Sequence, residues 1–228
     1  MAESWFLLPS GPGAPAENMA WDEALLRSVA RLGQPVLRFY GWTEPAASFG
    51  YFQHYAEVET WTPLRPLIRR PTGGGLVPHA ADWTYSLVFP PTHAWFHLRA
   101  EESYRHLHEW IQDSFARVKL PAELAPRGAK TAPGQCFAGP EKSDLVWNGG
   151  KIAGAAQRRT RGGMLIQGSI QPLPPGVERG AWERALLEAA RERFALSWKS
   201  LEPGAWLQQL AVRLGAEKYS QAAFNRRR

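Results

Sequence analysis

The chain has 228 residues, a length that suits one large domain and is ample for a continuous hydrophobic core. Apolar residues make up 44% and charged residues 21%, with 11 tryptophans, which excludes a disordered chain. A single cysteine, Cys136, excludes an intramolecular disulfide and points to a reducing compartment, while a formal charge of +6 fits a nucleic-acid partner, an acidic protein partner, or solubility alone.

The N-terminus, Met1 to Leu8, carries Glu3 and an apolar run only from Trp5 to Leu8, too short for a signal sequence. No segment approaches the roughly 20 apolar residues of a membrane helix, so a cytoplasmic protein is expected. From Asn18 to Leu32 the helical period places Leu25, Leu26, Val29 and Leu32 on one face, with Asp22, Glu23 and Arg27 opposite. Val36 to Tyr40, Ala47 to Tyr51 and Leu67 to Arg69 read as short strands separated by tight turns, and Trp83 to Phe89 as a further strand. After Pro90-Pro91, Glu101 to Val118 carries Tyr104, Leu107, His108, Ile111 and Phe115 at helical spacing. Pro121 to Gly134 reads as an irregular loop with Cys136 at its end. Asn148-Gly149-Gly150 joins Asp144–Trp147 to Lys151–Ala156 as a β-hairpin, because Asn-Gly supplies positive φ angles; Met164 to Ile170 extends the sheet. Helices follow at Ala181 to Phe194 and Gly204 to Leu214. The expected class is α+β with an antiparallel or mixed sheet.

Three features carry candidate chemistry. In Arg69-Arg70-Pro71-Thr72-Gly73-Gly74-Gly75, followed by His79, glycines allow close backbone approach and arginines can hold a carboxylate or phosphate; the plain alternative is a glycine-rich turn with solvated arginines. The Gly-Lys-Ser/Thr ending of a phosphate-binding loop is absent. Lys151-Ile152-Ala153-Gly154-Ala155-Ala156-Gln157 is a strand of small residues headed by a lysine, which leaves room for a slender ligand beside a cation; a solvated lysine is the alternative. Cys136 is a packed small hydrophobe or a nucleophile, and the second role needs nearby positive charge, for which Lys151 or His79 are the candidates. His79 itself reads as a base, an anion contact or a strand-capping residue. His54, His93, His97, His106 and His108 lack zinc spacing, so no metal is expected. The basic pairs Arg69-Arg70 and Arg158-Arg159 sit beside glycine-rich segments, and Arg226 to Arg228 form a tail. No nucleic-acid motif accompanies them, so nucleic acid is the weaker reading.

Six segments in order resemble the lipoate/octanoate protein ligase and transferase family, which shares a fold with biotin protein ligases. They are Asn18-Met19-Ala20 with Asp22-Glu23-Ala24; Arg38-Phe39-Tyr40-Gly41-Trp42; Ser48-Phe49-Gly50-Tyr51-Phe52-Gln53; the arginine-glycine loop with His79; Thr84-Tyr85-Ser86; and the Lys151 strand. The resemblance implies a central mixed sheet flanked by helices, with one catalytic domain over residues 1–228 and no C-terminal accessory domain. It implies an acyl tunnel in which Lys151 sits near the acyl carbonyl and Arg70, Thr72, Gly73, Gly74, Gly75, His79, Gly154 and Ala155 form the walls. Cys136-Phe137 and Gln167-Gly168-Ser169-Ile170 are similar to a cysteine-dependent octanoyltransferase subgroup. That subgroup's chemistry would pass octanoyl or lipoyl from an acyl carrier protein through a Cys136 thioester to a lysine of a lipoyl-carrier domain, of the glycine cleavage H protein or 2-oxoacid dehydrogenase E2 type, with no cofactor. In the alternative, an ATP- and magnesium-dependent ligase, an Asn-Asp pair serves the nucleotide. Asp144 matches its second member, but Ser143 stands in place of the Asn. A non-catalytic binding protein is the third reading. Many members also place an acidic residue directly after the histidine, where this chain has Ala80.

Overall fold

A computed structural model describes residues 3–128 and 134–227. Met1, Ala2, positions 129–133 of the expected loop and Arg228 of the expected tail lie outside the described residues. In chain order the elements are β1 (Glu3–Gly13), α1 (Pro15–Leu32), β2 (Val36–Trp42), β3 (Ala46–Phe49), α2 (Tyr55–Trp61), β4 (Leu67–Arg69), β5 (Val77–His79) and β6 (Trp83–Phe89). There follow α3 (Ala94–His97), α4 (Ala100–Arg117), β7 (Glu123–Leu124), β8 (Leu145–Trp147), β9 (Gly150–Thr160) and β10 (Gly163–Ile170). The chain continues through α5 (Arg179–Phe194), β11 (Leu196–Ser200), α6 (Ala205–Leu214), a π-helical turn (Gly215–Tyr219) and α7 (Ala222–Asn225). None of the described helices is long and apolar enough to cross a membrane.

Eight strands form one mixed sheet in the order β11-β1-β2-β6-β10-β9-β8-β7, and β4-β3-β5 form a smaller one. β1 runs parallel to both β11 and β2, whereas β2, β6, β10, β9, β8 and β7 pair antiparallel in turn. β1 is longer than its apolar run suggests, because Pro9 and Pro12 pass as loop residues in sequence. They are tolerated here because pairing with β11 ends at Leu7, so the absent proline N–H groups leave no partner carbonyl on that side.

Both faces of the large sheet are covered, so every residue of β6 and β10 is buried. On one face α4 and α5 enclose an aromatic core. Trp5 meets Phe89 edge-on at 5.4 Å, Trp110 at 6.0 Å and Trp198 at 5.8 Å between ring centroids, which accounts for much of the tryptophan content. On the other face α1 and α6 bury Leu25, Leu26, Val29, Val88, Leu165 and Leu207.

One expectation for α1 fails. Asp22 and Glu23, assigned to the face away from the apolar stripe, are both buried, because the helix is enclosed between the sheet and the C-terminal helices. Glu23 is met by Lys218 at 2.5 Å and by the Tyr219 hydroxyl. Asp22 accepts from Arg38 Nη1 (2.8 Å), Tyr40 Oη (3.0 Å), Ser86 Oγ (2.7 Å) and Gln167 Nε2 (2.7 Å). A buried carboxylate needs this degree of satisfaction.

His108 on α4 is also buried, and burial pushes its imidazole down to about 4, with Lys151 acting in the same direction and Asp144 opposing. The folded protein therefore binds fewer protons than the unfolded chain between about pH 6.5 and 4, so stability falls as pH drops through that window. We expect urea unfolding at pH 7 and pH 4.5 to show a pH-dependent loss larger for the parent than for His108→Gln, by on the order of 2–3 kcal/mol.

Candidate active site

The two sheets meet where β4 ends, and the arginine pair there divides its work. Arg69 is structural: its Nη1 donates to the Tyr51 and Gln53 carbonyls at 2.8 and 2.7 Å, and its Nη2 donates to the Asn225 carbonyl at 3.0 Å. Arg70 turns inward. Its Nε donates to Thr72 Oγ1 (3.1 Å), Nη1 to the Ser48 carbonyl (3.2 Å) and Nη2 to the Gly73 carbonyl (2.6 Å). These acceptors are all neutral, and among the described residues no carboxylate lies within ion-pair distance of Arg70. Burial lowers the guanidinium pKa, and the Cys136 thiol beside it acts in the opposite sense.

Cys136 reaches this point through a single parallel bridge between Leu76 and Gln135, with Cys136 N–H donating to the Leu76 carbonyl at 3.0 Å. Its Sγ accepts the Gly75 N–H at 3.0 Å and stands 4.0 Å from Arg70 Nη2. A backbone donor and a buried cation thus converge on the sulfur, the surroundings that suit a nucleophilic thiolate. Gly74, at φ 84°, turns the loop so that Gly75 can present its N–H. A side chain there would be strained and would press on Arg70 at 2.9 Å.

Lys151 begins β9 after a turn in which Asn148 (φ 48°) and Gly149 (φ 78°) adopt the expected positive angles. Its buried Nζ lies 2.7 Å from Asp144 Oδ2 and donates to the Cys136 carbonyl at 2.8 Å. An ammonium has three donors, so one remains for a carbonyl in the cavity. Gly154 is required beside it, because a Cβ there would overlap the Lys151 side chain.

The expectation that Lys151 or His79 supplies charge to the cysteine sulfur is corrected. Lys151 binds the cysteine's backbone carbonyl, and His79 is held between Ser48 Oγ (2.8 Å at Nε2) and Asp82 Oδ2 (2.9 Å at Nδ1), stacked on Trp42 at 3.9 Å. Arg70 is the cation at the sulfur. Burial would raise the Asp82 carboxyl, but the charge and hydrogen bond of His79, with hydroxyls of Ser169 and Thr84, hold it below the usual carboxylate range. Asp82 therefore supplies the carboxylate that Ala80 does not. A second unforeseen chain links Asp22 to Arg70 through Gln167 and Thr72, whose Oγ1 donates to Gln167 Oε1 at 2.7 Å.

Arg70, His79, Cys136, Lys151, Gly154 and Ala155 line one narrow cavity. Thr72 lies behind Arg70, and Gly73 and Gly74 face an adjoining hollow that also contains Asp144. Asp144 Oδ2 meets Lys151 and accepts the Glu141 N–H, each at 2.7 Å. Among the described residues, no group of three or more His, Cys, Asp or Glu is placed to hold a metal.

The family profile described as lipoyl protein ligase A/B catalytic domain matches residues 14–171. "Octanoyltransferase LipM" of Bacillus subtilis (strain 168) is 37% identical over 182 residues, covering 74% of this chain and 65% of that protein. The protein of the same name from Staphylococcus aureus (strain NCTC 8325 / PS 47) is 35% identical over 189 residues, covering 75% and 66%. The chain thus spans just under two thirds of the length of these relatives. The solved structure of Ta0514, a lipoate protein ligase homologue from T. acidophilum, superposes with a TM-score of 0.81 at 23% identity, covering 99% of this chain and 100% of the other. The fold is shared with that protein.

If Arg70 sustains the reactivity of Cys136, iodoacetamide should alkylate Cys136 in Arg70→Gln about tenfold more slowly at pH 7, the effect of removing one cation at this distance. Equal alkylation rates would assign the guanidinium a packing role only.

Proposed function

Because the chain belongs to the lipoyl protein ligase A/B catalytic-domain family, we propose that it is an acyltransferase that carries an octanoyl group on Cys136 to a lysine of a lipoyl-carrier domain. The observation that carries this reading is the position of Cys136 Sγ, inside the cavity, accepting the Gly75 N–H and facing a buried arginine that meets no carboxylate among the described residues. The relatives named octanoyltransferase support the choice of acyl group and of transfer over ligation.

In the first step the Cys136 thiolate attacks the carbonyl carbon of an acyl thioester borne by a carrier protein. The free N–H of Lys151 meets the developing oxyanion, and collapse expels the carrier thiolate, which takes a proton from solvent. The acyl group then lies against Gly154, Ala155 and Ala156, where small side chains leave room for its chain. In the second step the neutral ε-amine of the acceptor lysine attacks the Cys136 thioester. The amide forms, the C–S bond breaks, the amine proton passes to solvent and the Cys136 thiolate returns. Thioester exchange is nearly balanced in energy, and amide formation drives the second half. Neither step calls on a nucleotide, and the acceptor lysine uses the site vacated by the carrier thiol.

Cys136→Ala should abolish octanoyl transfer from octanoyl carrier protein to a lipoyl domain in the absence of ATP. Parent-like transfer by that variant would remove the Cys136 thioester from the mechanism, and lipoyl-domain acylation from free octanoate only when ATP and magnesium are added would replace this reading with a ligase.

A further inference from the structure

Beside the catalytic loop lies a cluster of cations that are held by aromatic rings. Arg227 sits over the Tyr51 ring at 4.0 Å and over Phe224 at 4.8 Å, Arg158 over Tyr51 at 4.6 Å, and Arg226 over Tyr55 at 5.0 Å. Elsewhere on the surface Arg105, Arg117, Arg179, Arg191 and Arg193 each meet a Glu or Asp. Among the described residues none of Arg158, Arg226 and Arg227 does so, leaving three positive charges on one patch without local compensation. Hydrogen bonds from Arg227, and then from Arg158, hold the Tyr51 phenol below its ordinary range despite partial burial. Phe52, 67% exposed, packs edge-on against Tyr51 at 5.1 Å and adds an apolar centre.

The patch is wired to the reactive sulfur. Tyr51 N–H donates to the Thr72 carbonyl at 2.9 Å, Arg158 Nη1 to the Pro71 carbonyl at 3.1 Å, and Gln53 Nε2 to the Gly134 carbonyl at 2.9 Å, two residues before Cys136. A protein seated here lies at the rim of the loop that presents Sγ, within reach of a flexible thioester arm.

Resting on the transferase reading, we propose that the Tyr51–Phe52 patch with Arg158, Arg226 and Arg227 is the docking surface for the acyl donor, a protein with an acidic face and a phosphate-linked thioester arm. Uncompensated arginines suit carboxylates and a phosphodiester, because the guanidinium fork pairs with both and is weakly hydrated. Aromatic stacking holds the forks without neutralising them, so the charge remains available to steer encounter.

The test measures the rate of Cys136 octanoylation by intact mass, using octanoyl carrier protein and, separately, the neutral octanoyl thioester of N-acetylcysteamine. Arg226→Glu/Arg227→Glu should slow acylation by the carrier about tenfold or more at low salt and weaken its salt dependence. Acylation by the small thioester should keep the parent's rate, and Arg226→Lys/Arg227→Lys, which keeps the charge but not the fork, should restore part of the carrier rate. Equal slowing with both donors, or no slowing with the carrier, would overturn the docking assignment while leaving the transferase intact. Normal thioester formation but slowed transfer to the lipoyl domain would reassign the patch to the acceptor. Failure of both donors to acylate the unaltered protein would remove the transferase reading, and this inference with it.

Discussion

Taking a guanidinium out of water without a carboxylate to meet it costs several kcal/mol, and among the described residues Arg70 is held in that condition. Much of the site follows from how the fold meets this cost. Backbone carbonyls of Ser48 and Gly73 and the hydroxyl of Thr72 absorb the donors, and the Cys136 thiol is drawn close. The requirement then propagates outward. Thr72 is oriented by Gln167, Gln167 by Asp22, and Asp22 by Arg38, Tyr40 and Ser86, so a chain of buried hydrogen bonds runs from α1 through the sheet to the reactive sulfur. Such networks are valuable only when fully satisfied, which ties the loop's geometry to the integrity of the core.

The architecture places this chain at the junction of the two sheets. The large sheet brings Lys151, Gly154 and Gln167 from β9 and β10. The small sheet supplies Ser48 and His79, and the segment between β4 and β5 supplies Arg70 to Gly75. Cys136 joins them through one bridge to Leu76. Asp144 and Lys151 form a second buried pair, which fixes the ammonium between a carboxylate and the cysteine carbonyl and keeps its remaining donor aimed at the cavity. The two cations thus have separate places: Arg70 stands at the sulfur, and Lys151 lines the cavity beside it.

Much of this was legible in the sequence where a local rule applied. The Asn148-Gly149 hairpin, β6, β10, α4 and α5 follow from turn chemistry and periodicity, and the small residues after Lys151 do line a cavity. What was not legible depends on contacts distant in sequence. Asp22 and Glu23 look like a solvated helix face because helical periodicity does not reveal that the sheet offers Asp22 polar partners or that the π-helical turn after α6 covers Glu23. Asp82 was passed over because the expected acid lay next to His79, whereas the chain turns and brings in a carboxylate three positions later. Two adjacent arginines look equivalent in a string of letters, so Lys151 or His79 reads as the cation for Cys136; both arginines are buried, and only the fold turns Arg69 to the Tyr51, Gln53 and Asn225 carbonyls and Arg70 to the cavity. β1 was obscured by prolines whose tolerance depends on where a neighbouring strand stops.

The central claim is that Cys136 carries the acyl group covalently. The most direct measurement is peptide mapping of the protein after incubation with octanoyl carrier protein without ATP, with and without hydroxylamine. This account predicts an octanoyl adduct on the peptide containing Cys136 that hydroxylamine removes. An octanoylated lipoyl domain formed without any such adduct, or an adduct confined to another residue, would contradict it.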